Sequence, residues 1–154
     1  MNIFYLDPDP VKAAEYQCDR HIVKMTLETA QLLCAVFPCG EAPYKPTHMQ
    51  HPCSLWLRAS RGNWNWLVAH GRALGAEYTF RYGKHHKSSD VIDWCAAHDG
   101  ELTFPEVTLL EPAQCMPVQY QSNDPVEAYR TYYREAKRPF ATWKPPAKTP
   151  DWWR

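Results

Sequence analysis

The feature that most constrains the fold is a long segment of helical periodicity that lies between prolines. It runs from Val11 to about Phe37, after two Asp-Pro steps that force a turn and before Pro38 and Gly40. Apolar residues recur along it at steps of three and four, which is typical of an amphipathic helix. The predicted buried band consists of Ile22, Val23, Leu27, Ala30, Leu33 and Val36. We therefore predict one long first helix.

The rest of the chain also favours helices. A second helical region runs from about Ser54 to Phe80, with a break expected near Gly62, and a shorter one runs from Ser88 to His98. Residues 99–124 predict a draped loop that includes a short helix, and "DP" at 124–125 suits the cap and first position of a last helix. The prediction is a mostly α, compact single-domain helical bundle over residues 1–154, with Pro-rich loops and an aromatic-basic tail at about 139–154.

The charges are unevenly distributed although the net charge is zero. Residues 56–87 carry six Lys and Arg against one Glu, and residues 128–154 carry seven against two acidic residues. Residues 88–127 hold eight Asp and Glu and no Lys or Arg. This pattern suits a protein with one polyanion-facing side, and ordinary solvated helix faces are the alternative.

The composition also bounds the location of the protein. No apolar run approaches the roughly 18 residues that a membrane helix needs, and "MNIFYLDPDP" lacks the basic region of a signal peptide. We therefore expect a cytoplasmic monomer with no membrane partner and no cofactor, in the host cytoplasm if it is phage-encoded. The six cysteines are then expected to be reduced thiols.

A file of polar residues lies within the first helical segment. Steps of three, four and three place His21, Lys24, Glu28 and Gln31 on one helix face. The simpler interpretation is a solvent face in which Lys24 and Glu28 form an i,i+4 ion pair. The alternative is acid–base or Schiff-base chemistry, which requires a carboxylate beside an imidazole and an amine.

The stretch "DRHIVKMTLETAQLLCAV" resembles the first catalytic helix of the phage pyrimidine-dimer DNA glycosylases of the endonuclease V type. In those enzymes a His is followed seven residues later by the catalytic Glu, and His21 and Glu28 have that spacing. "HPCSLWLRASRGNWNWLVAHGRALGAEYTFRYGK" is similar to their central helices, and "RPFATWK" and "TPDWWR" resemble their DNA-contacting tail. The chain also resembles a group of phage proteins that share "YKPTH…HPC", which implies no function.

This resemblance implies a repair enzyme of base excision, with Glu28 as the catalytic carboxylate and His21 orienting it. The related enzymes attack the sugar with the amine of a Thr exposed by removal of the initiator Met, whereas Asn2 disfavours that removal here. The nucleophile stays open between the Met1 amine, Lys24 with a desolvated amine, and a water activated by Glu28.

The loop "CGEAPYKPTHMQHPC" contains zinc-type ligands. Cys39, His48, His51 and Cys53 form a candidate zinc set, but their spacing matches no common structural zinc module. We therefore expect no metal, and favour a pocket lining in which Lys45, His48 and His51 donate hydrogen bonds to DNA. A Pro-stiffened connection is the plain alternative.

Basic and aromatic residues elsewhere predict further DNA contacts. Phosphate contacts are expected from Arg58, Arg61, Arg81, Lys84 and Lys87. A base-stacking platform is expected from Trp143, Lys144, Trp152 and Trp153, with a strap packed over the core as the alternative.

Together these observations predict a glycosylase-like hydrolase or lyase that flips a damaged or modified pyrimidine out of duplex DNA. Two alternatives keep the DNA partner and change the activity. One is a phage transferase that modifies the flipped base, and the other is a non-enzymatic DNA-binding or host-inhibitory protein.

Overall fold

A computed structural model describes residues 1–154 and confirms a compact, mostly α fold. It contains six α-helices, two 3-10 helices and no strand beyond one isolated bridge between Ser60 and Glu106. The α-helices are α1 (Pro10–Glu15), α2 (Asp19–Cys34), α3 (Pro52–Ala59), α4 (Arg61–Tyr82), α5 (Lys87–Ala97) and α6 (Pro125–Ala136). None of these helices is both long and apolar enough to span a membrane.

Helix α4 lies at the centre of the fold and contacts α1, α2, α3 and α5. It begins where the Ser60 side chain accepts a hydrogen bond from the Asn63 amide, and it ends at Gly83 in the left-handed conformation. Because several helices cover it, apolar residues lie around much of its circumference, including the fully buried Trp64, Leu67 and Leu74. One hydrophobic cluster of 28 buried residues fills the space between the helices.

The single long first helix is a wrong prediction, because the chain breaks between Glu15 and Asp19 into α1 and α2. Cys18 is extended at the break, and its amide donates to the Tyr133 hydroxyl instead of to a helical carbonyl. The Asp19 amide likewise donates to the carbonyl of Thr142 in the tail. Partners distant in sequence therefore satisfy the backbone groups that a continuous helix would use.

The break expected near Gly62 lies at Ser60, where the backbone is extended between α3 and α4. Gly62 has a different role, because a Cβ there would collide with the backbone of Leu109. The loop of residues 99–124, here called the acidic loop, thus crosses α4 at close range. The other predictions for this region are confirmed: residues 99–124 form a loop with two short 3-10 helices, and Asp124 caps α6 with Pro125 first.

The tail after α6 packs back over the core as a strap. The Trp143 indole donates to the Tyr16 carbonyl at 3.1 Å, and Trp152 and Trp153 both pack edge-on against the buried Tyr133. Asp19 at the start of α2 accepts hydrogen bonds from the Thr142 hydroxyl and the Lys144 amide. These contacts favour the strap over a free base-stacking platform.

Candidate active site

The centre of the site is a carboxylate that faces an amine. Glu28 Oε1 on α2 lies 3.7 Å from the α-amino nitrogen of Met1, with the Glu28 side chain 12% exposed. Glu28 Oε2 is buried and has no hydrogen-bond partner. The Met1 side chain is only 2% exposed whereas the residue as a whole is half-buried, so its accessible area lies on backbone atoms. The pair therefore places an amine beside a carboxylate that has one unpartnered oxygen.

The N-terminal segment holds this amine in place through Asn2 and Phe4. Asn2 Oδ1 accepts hydrogen bonds from the amides of Ile3 and Phe4, and its Nδ2 donates to the Cys115 carbonyl at 2.8 Å. Phe4 has a φ of +57°, a left-handed conformation that costs a bulky residue of order 1–3 kcal/mol. That turn directs the Phe4 ring into the core and leaves Met1 at Glu28.

His21 packs against the same N-terminal segment. Its ring stacks on Phe4 at 4.3 Å between centroids, and its Nδ1 lies 2.6 Å from the Tyr133 hydroxyl. Because that hydroxyl already accepts the Cys18 amide proton, its own proton is free to be donated to Nδ1. Burial, and then the positive charges of Lys137 and Lys24, lower the pKa of His21 to about 3. The ring is therefore neutral at physiological pH.

The four members of the polar file have different surroundings. His21 and Glu28 are buried, Gln31 is half-buried and Lys24 is exposed, and Lys24 forms no ion pair with Glu28. The predicted apolar band is wrong at Val23 and Leu27, which are 44% and 39% exposed. The helix is rotated relative to the prediction, because Glu28 turns inward to the Met1 amine.

Neutral buried histidines make stability sensitive to acid. Desolvation lowers the pKa of the fully buried His70 to about 4, as it lowers that of His21 to about 3. Unfolded imidazoles take up protons below pH about 6.5, so the unfolded state binds more protons than the native state from about 6.5 downward. The free energy of unfolding should fall as pH drops through this range, by of order 2 kcal/mol per ring at pH 5.

Urea unfolding at pH 7.5, 6 and 5 measures this loss. His21→Phe keeps an aromatic ring against Phe4. It should reduce the slope of the free energy of unfolding against pH by the contribution of one imidazole. Gln31→Ala, which removes no titratable group, is the control and should leave the slope unchanged. An unchanged slope in His21→Phe would contradict the assigned pKa.

An exposed stripe of α2 runs along the edge of this site. It consists of the exposed Val23, Lys24 and Leu27 and the half-buried Gln31. One side is bordered by the loop of residues 43–47, which forms a groove with Leu27 and Gln31 and includes Lys45. The other side meets the turn of residues 83–87, where His86 Nε2 donates to the Val23 carbonyl. Lys45, Lys84 and Lys87 are exposed and form no ion pair.

Two of the predicted phosphate contacts have their positive charge occupied within the protein. Arg81 is a correction: its side chain is fully buried, forms ion pairs with Asp19 and Glu77, and donates to carbonyls of Glu15 and Gln17. Arg61 is 30% exposed, paired with Asp99 at 3.3 Å and directed at the acidic loop.

Two further predicted contacts also bind protein carbonyls. The Arg58 guanidinium donates to the Met49 carbonyl at 2.7 Å. Lys144 Nζ donates to the Arg81 carbonyl at 3.3 Å.

The fold separates the four candidate zinc ligands in the loop of residues 39–53. Cys39 is exposed in the loop, and His48 bonds to Thr47. His51 caps α3, with its Nδ1 accepting from the Cys53 amide at 3.1 Å. Burial, then the charges of the Met1 amine and His48, lower the pKa of His51, while Glu28 raises it, which places His51 near the candidate active site.

Sequence reasoning missed four residues that build this site: Asn2 as a clamp, Phe4, Tyr133 and Cys115. Asn2 contacts Cys115 and His21 contacts Tyr133, and in each pair the two residues are more than 100 positions apart in the sequence. Asn2 carried a local signal, since Asn favours turns through bonds to its own backbone. The others carried none, because no helical or strand period relates such distant positions.

The helical fold thus places a buried carboxylate 3.7 Å from an amine, with exposed lysines on the neighbouring loops. Residues 1–90 match the family model described as pyrimidine dimer DNA glycosylase, which covers more than half of the chain. The chain therefore belongs to the pyrimidine dimer DNA glycosylase family, as the sequence resemblance implied. The family supports a DNA glycosylase with DNA as its substrate. Neither curated proteins nor solved structures gave a match.

Proposed function

We propose that this protein is a DNA N-glycosylase that removes a damaged or modified pyrimidine from duplex DNA, with Glu28 and the Met1 amine at the reaction centre. The observation that carries the proposal is the 3.7 Å approach of the Met1 amine to Glu28 Oε1 within the matched part of the chain. An amine beside a carboxylate supplies both a nucleophile and a proton acceptor.

The proposed reaction begins with attack of the neutral Met1 amine on C1′ of the damaged nucleotide. The N–C1′ bond forms as the glycosidic bond breaks, and its electron pair leaves with the base, which takes up a proton. The amine then loses a proton, and its lone pair forms a C1′=N bond as the C1′–O4′ bond breaks. The electron pair of that bond stays on O4′, which takes up the proton, and the product is a protonated imine between Met1 and the sugar. An imine acidifies the C2′ hydrogens, so the same intermediate permits strand cleavage by β-elimination.

Glu28 serves this reaction with both oxygens. Oε1 faces the amine and is the acceptor for its proton, while the unpartnered Oε2 is free to stabilise positive charge that develops on the sugar. His21 acts as a positioning residue: it is neutral and touches Phe4, and thereby fixes the segment that ends in the amine. Its substitution is expected to impair attack rather than DNA binding.

The Met1 amine is a better candidate nucleophile than Lys24. Lys24 is exposed and lies outside ion-pair distance of Glu28. The Met1 amine lies 3.7 Å from Glu28 Oε1, so it has a proton acceptor close by and Lys24 does not. Lys24 instead belongs to the exposed stripe and is proposed to contact DNA.

DNA is proposed to dock on the basic edge beside the stripe and to present the flipped nucleotide to Glu28. Lys24, Lys45, Lys84 and Lys87 are exposed there without acidic partners. His48 and His51 lie on the loop next to the amine and remain proposed contacts to the flipped nucleotide. The slope of the logarithm of the DNA-binding constant against the logarithm of the salt concentration should become shallower by about one for each phosphate contact that is removed.

A single-turnover assay tests the function. End-labelled duplexes that are undamaged, UV-irradiated or built with modified pyrimidines are incubated with the protein, and hot alkali then reveals abasic sites. Alkali-labile product on a damaged or modified duplex supports the glycosylase. Binding without product on every duplex would contradict it and favour a transferase or a non-enzymatic binder.

A further inference from the structure

A cluster of metal-ligating side chains lies beside the amine, and the proposed reaction assigns no chemical step to any of them. The ligand atoms of His51, Cys53 and Cys115 lie within 4.8 Å of one another. Cys53 is buried, and its sulfur lies 3.3 Å from that of Cys115, 62 positions along the chain. No other group of three His, Cys, Asp or Glu side chains in the protein reaches this proximity.

We propose that His51, Cys53 and Cys115 bind a thiophilic divalent cation, with zinc as the matching metal. Zinc–sulfur bonds of about 2.3 Å place the two sulfurs of a tetrahedral site about 3.8 Å apart, and a zinc–nitrogen bond of about 2.0 Å places the nitrogen about 3.5 Å from each sulfur. The sulfurs of Cys53 and Cys115, which lie 3.3 Å apart, must therefore separate by about 0.5 Å. The widest pair in the cluster must close by about 1 Å, which a change of side-chain torsion provides.

This set differs from the one that sequence spacing suggested. Cys39 is exposed and lies outside the cluster, as does His48, whereas Cys115 enters from the loop before α6. Cys115 also lies beyond residues 1–90, so the family match does not include this ligand. His51 Nδ1 now accepts the Cys53 amide, so a metal at this nitrogen would replace the capping bond of α3.

The proposed metal would connect three parts of the chain that build the active site. His51 and Cys53 lie at the start of α3, and Cys115 lies in the acidic loop. Asn2, the residue after Met1, donates from Nδ2 to the Cys115 carbonyl at 2.8 Å, so the proposed ligand Cys115 is joined directly to the N-terminal segment. Metal binding would therefore stabilise the native state and restrict the N-terminal segment.

Metal analysis of the purified full chain tests the site without DNA, so its outcome is independent of glycosylase activity. The protein is purified without chelators and with a reductant that contains no thiol. It is then incubated with a zinc or cobalt salt, and unbound metal is removed. We expect one zinc per chain by mass spectrometry of the metal. The cobalt form should show a thiolate-to-cobalt charge-transfer band in the near ultraviolet.

Variants locate the ligands. Cys115→Ser should weaken zinc binding by more than ~100-fold. Loss of a residue that only hydrogen-bonds to a metal ligand costs at most about 100-fold, so a larger loss indicates a direct ligand. His51→Asn should weaken it as well, and it retains a good helix-capping side chain if Cys115→Ser fails to fold. The controls are Cys39→Ser and Cys34→Ser, because Cys34 pairs with Cys95 at 3.7 Å without a third ligand.

Three results would overturn the proposal. The first is a wild-type chain that retains no zinc and shows no charge-transfer band with cobalt. The second is a loss of zinc in Cys39→Ser as large as that in Cys115→Ser. The third is a reduced preparation in which peptide mapping finds Cys53 and Cys115 joined as a disulfide.

Discussion

Glu28→Gln is expected to slow base release by about 10²–10⁴-fold in single turnover, with little change in DNA affinity. The amide keeps the size of the side chain but accepts no proton from the Met1 amine and carries no charge to stabilise the sugar. The substitution removes the 3.7 Å ion pair between Glu28 and the Met1 amine, whereas the buried Oε2 loses no hydrogen bond. Thermal unfolding must show that the variant is folded at the assay temperature, which separates a chemical defect from unfolding.

Gln31→Ala is the matched control for this variant. Gln31 lies one turn further along α2, is half-buried and faces the groove beside the stripe. We expect a change in affinity from this substitution and at most a small change in the single-turnover rate. Thermal unfolding of both variants completes the comparison. A Glu28→Gln protein that releases the base at the wild-type rate would remove Glu28 from the mechanism.

Extension of the N-terminus should abolish imine formation. A short Gly-Ser extension before Met1 converts its amine into an amide, which is not nucleophilic, and places additional chain next to Glu28. The Met1 side chain is 2% exposed, so little room exists for the amine at the new end to occupy the same position. We expect at least a 100-fold loss of borohydride-trapped complex, in line with the loss of an activated nucleophile.

Two controls accompany the extension. The same residues added after Arg154 should leave trapping unchanged, and Lys24→Ala should retain trapping while its DNA binding becomes weaker and less salt-dependent. Base release that persists without trapping in the extended protein would show that Glu28 activates water. Loss of trapping in Lys24→Ala, with the fold intact, would make the lysine the nucleophile.

The sequence was most informative where local chemistry decides the structure. Proline, glycine and Asp-Pro steps lie close to most helix ends, and the spacing of His21 and Glu28 predicted that both lie on one helix, which is α2. Spacing alone could not show which residues of the polar file are buried. That depends on the Met1 amine, which attracts Glu28 inward, and on Phe4, which covers His21.

The remaining features depend on long-range contacts that no period predicts. The break before Asp19 exists because Tyr133 and Thr142 satisfy its backbone amides. Arg81 looked like a phosphate ligand in a basic turn, yet Asp19 and Glu77 hold it inside the fold. A count of charges along the sequence cannot distinguish such a buried ion pair from a free cation.

The most direct test of the account is to identify the residue that is trapped on DNA. The mass of the intact protein first establishes its N-terminal residue, and the protein is then reacted with a damaged duplex in borohydride and digested. The account predicts a reduced cross-link on the peptide that begins with Met1, absent from Glu28→Gln. A cross-link on the Lys24 peptide, or efficient base release with no cross-link on any peptide, would contradict it.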